Sequence, residues 1–165
     1  MTAASGPRGR STKDCHERAL GLLAVRQRSR RELERRLLRA GFEADEVGDE
    51  LERLERVGLI DDEAFARALA EHAVGRRKEA RRVVAGRLAA AGVAPDTAAG
   101  VLEAIAIDEE TQANELALER ASRLAGLPAE KAFERLAGLL MRRGYAPEVA
   151  RRSARRALAL ESDED

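Results

Sequence analysis

Few residues in this chain have the type and spacing that catalysis requires. Cys15 is the only cysteine and has no triad-like setting, so we expect it to be a packing residue and not a nucleophile. His16 and His72 are the only histidines, which leaves little acid–base chemistry near neutral pH. Phosphate-binding glycine loops, zinc-binding helix motifs and paired cysteines are missing at the spacing that each requires. The sequence therefore predicts no catalytic residue, no cofactor and no enzymatic activity.

One acidic cluster has the composition of a metal site. Asp61, Asp62 and Glu63 are consecutive, and carboxylate oxygens are ligands that Mg²⁺ prefers. Acidic residues are also favoured in a first helical turn, because they face the positive end of the helix dipole. We therefore interpret Asp61 as a helix N-cap and expect no metal ion.

The composition indicates which elements must position any functional side chain. Of 165 residues, 44% are hydrophobic but only 2% are aromatic, so Leu, Ala and Val must form the core. Aromatic-lined ligand pockets are not expected, and no apolar run approaches the roughly 20 residues of a membrane helix. Residues 1–13 lack the apolar centre of a signal peptide and are expected to be a disordered tail. With a lone cysteine, which fits a reducing compartment, the sequence predicts a cytoplasmic protein without membrane contact.

Three glycines mark an internal repeat. Gly41, Gly92 and Gly144 are separated by 51 and 52 residues. Apolar residues stand four positions before each glycine and one position after it, as expected for a helix that ends at the glycine. These residues are Leu37, Leu88 and Leu140 before the glycines, and Phe42, Val93 and Tyr145 after them. Further apolar positions match at the same offsets, which indicates a true repeat.

Each repeat is predicted to contain three helices. Ser29 with Glu32 has the pattern of a capping box, and Asp61 and Asp108 are predicted N-caps. The nine expected helices span 14–27, 29–40, 44–57, 61–74, 76–91, 95–106, 108–125, 128–143 and 147–160. The predicted fold is all-α, with three-helix repeats at 14–58, 59–107 and 108–160 and an acidic disordered tail at 161–165. Because one unit alone is near the lower size limit for a stable core, the units should pack together as an elongated, curved modular rod.

Charge is banded along the chain although the formal net charge is zero. Residues 1–41 hold eleven Lys or Arg against four Asp or Glu, and residues 42–70 hold three against ten. Basic bands recur at 71–92 and 121–156. Solvated helix faces with i, i+4 ion pairs, worth only about 0.2–0.5 kcal/mol each, would give such bands. Repeated basic stripes would also suit a polymeric acidic partner, because the guanidinium group binds carboxylates and phosphates bidentately. Both interpretations stay open at this stage.

Two motif blocks resemble the RecX family of recombination regulators. The first is Arg28-Ser29-Arg30-Arg31-Glu32-Leu33 with Leu37-Leu38 and Gly41-Phe42. The second is Gly58-Leu59-Ile60-Asp61-Asp62 with Phe65-Ala66, and the likeness continues through Gly92-Val93 to Arg142-Arg143-Gly144-Tyr145. In the middle unit, Gly86 and the alanines at 89–91 depart from the family pattern, which weakens the transfer of residue roles there.

The resemblance implies a function for the array. It implies binding to the RecA recombinase in the groove of the RecA–DNA filament, with restraint of filament growth, ATP hydrolysis, strand exchange and co-protease activity. These processes belong to DNA recombination, DNA repair and the SOS response. The resemblance also implies non-specific binding to single- or double-stranded DNA, and we expect a monomer. A sequence-independent DNA-binding helical module, built on the pairing of the first two helices, is the alternative.

The residues expected to act fall into two groups. The candidate contacts to RecA or DNA are Arg28, Arg30, Arg31, Arg35, Arg76, Arg77, Lys78, Arg81, Arg142, Arg143, Arg151 and Arg152. The residues expected to cap helices or fill cores are Ser29, Glu32, Leu33, Leu37, Gly41, Phe42, Leu51, Leu54, Asp61, Phe65, Leu88, Gly92, Leu136, Leu140, Gly144 and Tyr145.

Overall fold

The fold is seen in a computed structural model that describes residues 14–160, so the predicted tails at 1–13 and 161–165 lie outside the described residues. Within 14–160 there are nine α-helices and no strand, which confirms the predicted all-α fold. The helices are α1 Cys15–Val25, α2 Arg30–Arg39, α3 Ala44–Arg56, α4 Asp62–Gly75, α5 Arg81–Ala91, α6 Pro95–Ile105, α7 Glu109–Ala121, α8 Ala129–Arg142 and α9 Pro147–Ala157. A short 3-10 turn, Ser122–Leu124, extends α7. No helix in this part of the chain is long and apolar enough to cross a membrane.

Local signals in the sequence set where the helices begin. The side chains of Ser29, Asp61 and Asp108 each accept a hydrogen bond from the backbone N–H three residues later. These bonds satisfy one of the donors that a helix start leaves without an internal partner. Pro95 and Pro147 are the first residues of α6 and α9, where a missing N–H costs nothing.

The middle helix of each unit ends in the same way. Gly41, Gly92 and Gly144 have φ angles of +95°, +84° and +98°, a conformation that glycine adopts without a side-chain clash. The next residue in each unit then donates its N–H to the carbonyl five residues earlier. This bond folds the apolar residue that follows each glycine back onto its own helix.

Each unit buries a separate core of small and aliphatic side chains. Leu33, Leu37, Leu51 and Leu54 lie in the first core, Leu88 in the second, and Leu136, Leu140 and Tyr145 in the third. Phe42 and Phe65 are partly buried at the edges of the first and second cores. The expected boundary between residues 58 and 59 differs from this packing, because Ile60 belongs to the first core. Ala80 likewise packs into the third core, so the linkers contribute to neighbouring units.

One predicted helix start is wrong. The sequence predicts a helix over 76–91, but α5 begins at Arg81 and residues 76–80 form a connector. Lys78 in this connector has a φ of +51°, outside the helical range. The backbone of the connector is bonded instead to the third unit, where the Tyr145 hydroxyl donates to the Lys78 carbonyl at 2.8 Å. These tertiary bonds override the helix propensity of the segment.

Consecutive units are connected by two equivalent sets of hydrogen bonds, which we call the first and second joints. The Ser29 hydroxyl donates to the Ala91 carbonyl at the first joint, and the Ala80 N–H donates to the Arg143 carbonyl at 2.9 Å at the second. In both cases the acceptor directly precedes the helix-ending glycine of the next unit. The joints therefore bring the start of one middle helix against the end of the next.

A carboxylate completes each joint. The N–H of Arg30, the first residue of α2, donates to the Asp62 carboxylate at 2.7 Å. The N–H of Arg81, the first residue of α5, donates to the Glu109 carboxylate at 2.8 Å. Asp62 and Glu109 are themselves the first residues of α4 and α7. The same acidic position of each following unit thus satisfies the start of the preceding middle helix.

The joints also require close backbone approach at two of the three glycines. A Cβ atom on Gly92 would lie 2.9 Å from the Arg31 Cβ, and one on Gly144 would lie 2.5 Å from a methyl group of Val83. At Gly41 no atom would lie within 4 Å of an added Cβ. Within residues 14–160 no hydrogen bond or ion pair connects the first unit to the third, whereas each of them is bonded to the second.

Candidate binding surface

The residues with catalytic potential are held in structural roles. Cys15 is 3% exposed, and burial raises the pKa of its thiol to about 11, with a further contribution from the negative charge of Glu46. A thiol with this pKa is a poor nucleophile near neutral pH. Asp61 caps α4 and Asp62 accepts the first-joint bond. Among the described residues, no group of three or more His, Cys, Asp or Glu could hold a metal ion.

Arg28 was expected to contact a partner, and the structure contradicts this expectation. The Arg28 side chain is only 6% exposed. Its Nε donates to the Leu22 carbonyl at 3.1 Å, and its guanidinium pairs with Glu32. Arg28 therefore ties the end of α1 to α2 and is not available at the surface.

The Glu32 carboxylate bonds to three arginines and not to the backbone at the start of α2. Arg26 and Arg36 bond its carboxylate at 2.6 and 3.0 Å, beside Arg28. Burial alone would raise the pKa of Glu32, but hydrogen bonds from Arg36, Arg26 and Arg28 hold the pKa below its usual value. Only half of the predicted capping box is therefore present. The Ser29 hydroxyl accepts a hydrogen bond from the Glu32 N–H, but the Glu32 carboxylate bonds to arginines and not to the Ser29 N–H.

The remaining arginines of α2 form one exposed face. Arg31, Arg35 and Arg39 are exposed and recur at i, i+4 and i+8, which places them along one side of the helix over about 12 Å. None of the three forms an ion pair with a residue of the part of the chain that the structure describes. We call these three residues the α2 arginine face. Arg30, which was also expected to contact a partner, pairs instead with Glu55 at 3.0 Å.

Two of the three basic residues in the connector of the second unit form ion pairs. Lys78 pairs with Glu115 at 2.6 Å, and this hydrogen bond raises the pKa of the amine. Arg77 lies 3.6 Å from Glu79, which is 4% exposed. Arg76, in contrast, is exposed and forms no ion pair within residues 14–160.

Glu79 holds the connector to α5. The two guanidinium nitrogens Nε and Nη2 of Arg87 bond its carboxylate at 2.5 and 2.7 Å. Burial alone would raise the pKa of Glu79, but the hydrogen bond and positive charge of Arg87, with the charges of Arg77 and Arg143, hold that pKa below its usual value. Glu79 is therefore a buried anion in the ordinary pH range.

Two further candidate contacts are engaged within the protein. The Arg81 guanidinium donates to the Leu102 carbonyl at 3.0 Å, and the Arg143 guanidinium donates to the Arg77 carbonyl. Both groups thus satisfy backbone carbonyls near the second joint. Arg81 and Arg143 therefore each have a structural role that uses one N–H donor of the guanidinium group, and their contact with a partner stays a prediction.

The third unit exposes its arginines on α9. Arg151, Arg152, Arg155 and Arg156 are all exposed, and we call them the α9 arginine cluster. Arg152 lies 3.2 Å from Glu110, and Arg155 lies over the Phe133 ring at 5.5 Å from its centroid. Arg142 is also exposed, in the last turn of α8. The sequence prediction named only the first two arginines of the cluster, although the i, i+4 spacing places Arg155 and Arg156 on the same faces.

The exposed arginine surfaces can bind anions. Each unit exposes guanidinium groups that have no carboxylate partner among the described residues: the α2 arginine face, Arg76 and Arg82, and most of the α9 arginine cluster. Such groups make bidentate, charge-assisted hydrogen bonds to phosphates and carboxylates.

Comparison with known proteins places the chain in a family. The family model "RecX, first three-helix domain" matches residues 15–54, which span α1, α2 and most of α3. The regulatory protein RecX of Thermobifida fusca is 34% identical over 166 residues, covering 96% of this chain and 90% of that protein. The regulatory protein RecX of Streptomyces coelicolor is 36% identical over 148 residues, covering 88% of this chain and 78% of that protein.

Solved structures share the fold. The crystal structure of RecX from Lactobacillus salivarius matches with a TM-score of 0.71 at 18% identity, covering 87% of this chain and 94% of that one. A second crystal structure of regulatory protein RecX matches with a TM-score of 0.69, covering 82% of this chain and 68% of that one. From its sequence identity over nearly the whole chain, together with this shared fold, the chain belongs to the RecX family of regulatory proteins.

Proposed function

We propose that this chain binds the RecA–DNA filament and inhibits the recombinase, ATPase and co-protease activities of RecA in DNA repair, without catalysis of its own. The observation that carries this proposal is the 34% identity to a regulatory protein RecX across 96% of the chain. Regulation by binding needs exposed contact groups, and the exposed arginines of the three units supply them.

The geometry supports a filament as the partner. A filament repeats its surface, and each unit of this chain exposes guanidinium groups: the α2 arginine face in the first unit, Arg76 and Arg82 in the second, and the α9 arginine cluster in the third. Contacts that are individually weak then add, because the first contact raises the effective concentration for the next. The phosphates of the bound DNA and acidic side chains of the protein are both suitable partners for guanidinium groups.

A charge-reversal experiment tests the contribution of the α2 arginine face. Arg35→Glu with Arg39→Glu changes two exposed arginines whose side chains form no ion pair within residues 14–160. Arg31 is avoided because its side chain packs over Gly92. The matched control is Arg53→Glu with Arg56→Glu, which makes the same change of charge at exposed positions of α3.

The readout is the single-stranded-DNA-dependent ATPase rate of RecA with this chain at a substoichiometric ratio. We expect wild type to lower the rate and the α2 variant to need about tenfold more protein for equal inhibition, since losing one charge-assisted contact removes about 1.5 kcal/mol or more. The α3 control should inhibit like wild type, and both variants should keep the helical circular dichroism signal. No effect of wild type on the ATPase rate would refute the proposed function, and equal inhibition by the two variants would refute the assigned surface.

A further inference from the structure

The third helix of the third unit differs in charge from its counterparts. In the first unit α3 carries six acidic residues against two arginines, and α6 in the second unit carries no basic residue. In α9 the four residues of the α9 arginine cluster stand against Glu148 alone. Among the described residues, only Arg152 of this cluster forms an ion pair, and both partners of that pair are 57% exposed. A concentrated positive surface therefore lies at this end of the array.

The chain turns back at the end of α9. Ala159 has a φ of +52°, and its N–H donates to the Arg156 carbonyl at 3.3 Å. The Leu160 N–H donates to the Arg155 carbonyl at 3.0 Å. This pair of bonds is the usual reversal at a helix end, which directs the following chain away from the helix axis and toward its side. Leu160, the last residue that the structure describes, therefore lies beside the basic last turn of α9.

The residues that follow are complementary to this surface. The sequence from 161 to 165 is Glu-Ser-Asp-Glu-Asp, with four acidic side chains, the same number as the arginines of the cluster. Five extended residues reach about 17 Å, whereas residues 151–156 extend only about 8 Å along a helix. The acidic segment is therefore long enough to lie along the whole α9 arginine cluster.

We propose that residues 161–165 dock on the α9 arginine cluster and act as an intramolecular competitor that screens this surface from polyanionic partners. Each exposed ion pair is weak, but tethering gives the acidic segment a high effective concentration at the cluster. A partner that makes many contacts at once therefore displaces the acidic segment. A partner that makes few contacts is excluded by it. The screening role rests on the proposed function, whereas the docking itself does not.

Docking is tested without any partner, by paramagnetic relaxation enhancement. A nitroxide label is attached at Ser162→Cys, which retains all four acidic residues. Native Cys15 is 3% exposed and is left in place because burial protects it from the label. The matched control adds Glu161→Gln, Asp163→Asn, Glu164→Gln and Asp165→Asn, which preserve the length and tether of the segment but remove its charge.

At about 20 mM salt we expect stronger broadening of the α9 amide resonances, especially those of Arg151 and Arg152, in the acidic protein than in the neutral control. At 1 M salt the difference should vanish, because the screening length falls to about 3 Å. Equal broadening of the acidic and neutral proteins at low salt would overturn the docking.

Screening is tested with a fluorescent oligothymidylate as the polyanion, measured by anisotropy at low salt. We expect neutralising residues 161–165 to raise its affinity about 3- to 10-fold. In an Arg151→Ala, Arg155→Ala, Arg156→Ala background the same neutralisation should change affinity by less than about twofold. An equal gain in oligothymidylate affinity in both backgrounds, or no binding by the neutral variant, would overturn screening. Neither outcome would change the result of the docking experiment or of the RecA ATPase experiment.

Discussion

Replacing Gly144 by alanine is a direct test of the second joint. Gly144 has a φ of +98°, and an alanine Cβ there would lie 2.5 Å from a Val83 methyl group and 3.3 Å from the Ala80 Cβ. The left-handed conformation alone costs a non-glycine residue about 1–2 kcal/mol, and overpacking adds about 1–3 kcal/mol. We therefore expect Gly144→Ala to lower the free energy of unfolding by about 2–5 kcal/mol.

Gly41→Ala is the matched control for this experiment. Gly41 ends α2 with a nearly identical φ of +95°, but no atom would lie within 4 Å of an added Cβ. The control should therefore lose only the conformational part, about 1–2 kcal/mol. The difference between the two variants isolates the contact between the second and third units.

The assay combines urea denaturation with amide hydrogen exchange. Urea midpoints give the two free-energy changes, and exchange shows where they act. In Gly144→Ala the N–H groups of Ala80 and Arg81 should exchange faster, because their acceptors in the third unit are displaced. Equal destabilisation by Gly41→Ala and Gly144→Ala, or unchanged exchange at Ala80 and Arg81, would refute the joint as described.

Three further substitutions test single contacts. Tyr145→Phe removes the hydrogen bond to the Lys78 carbonyl, and thermal unfolding should show a loss of about 1–2 kcal/mol, whereas an unchanged Tm would contradict its role. Ser29→Ala removes both the cap of α2 and the bond to the Ala91 carbonyl. Denaturation should therefore show that the free energy of unfolding falls by about 1–3 kcal/mol. A fall below about 0.5 kcal/mol would be too small for the loss of two hydrogen bonds. Glu79 has a pKa held below its usual value, so its charge stabilises the fold above the unfolded pKa of about 4.3 and the benefit is lost as pH falls through the folded pKa. The stability gap between wild type and Glu79→Gln should therefore be largest near pH 7 and shrink in acid, and a gap that does not change with pH would contradict this sign.

The sequence predicts the helices well because their limits depend on local signals. Ser29, Asp61 and Asp108 cap helices through bonds to residues three positions away, and the helix-ending glycines act on their own backbone. The start of α5 is different, because residues 76–80 contain no local helix breaker. Contacts distant in sequence, such as the bond from Tyr145 and the pairing of Glu79 with Arg87, hold this segment out of a helix.

The roles of individual arginines could not be read from the sequence. Arg28, Arg81 and Arg143 have the same chemistry as the exposed arginines of α2 and α9. What separates them is a carbonyl acceptor contributed by another element: that of Leu22 for Arg28 and that of Leu102 for Arg81. Such pairings depend on tertiary packing, so a repeating pattern of charge shows only that a unit is basic and not which side chains remain free.

The proposed binding to the RecA–DNA filament is tested most directly by comparing two affinities of the same protein. Anisotropy titrations of a labelled oligothymidylate, bare and coated with RecA, are carried out across a salt series. We predict tighter binding to the RecA-coated strand, with part of that preference retained at high salt because protein contacts add to the phosphate contacts. Equal affinities for the two forms, falling equally steeply with salt, would contradict a RecA-directed role and indicate a sequence-independent DNA-binding module.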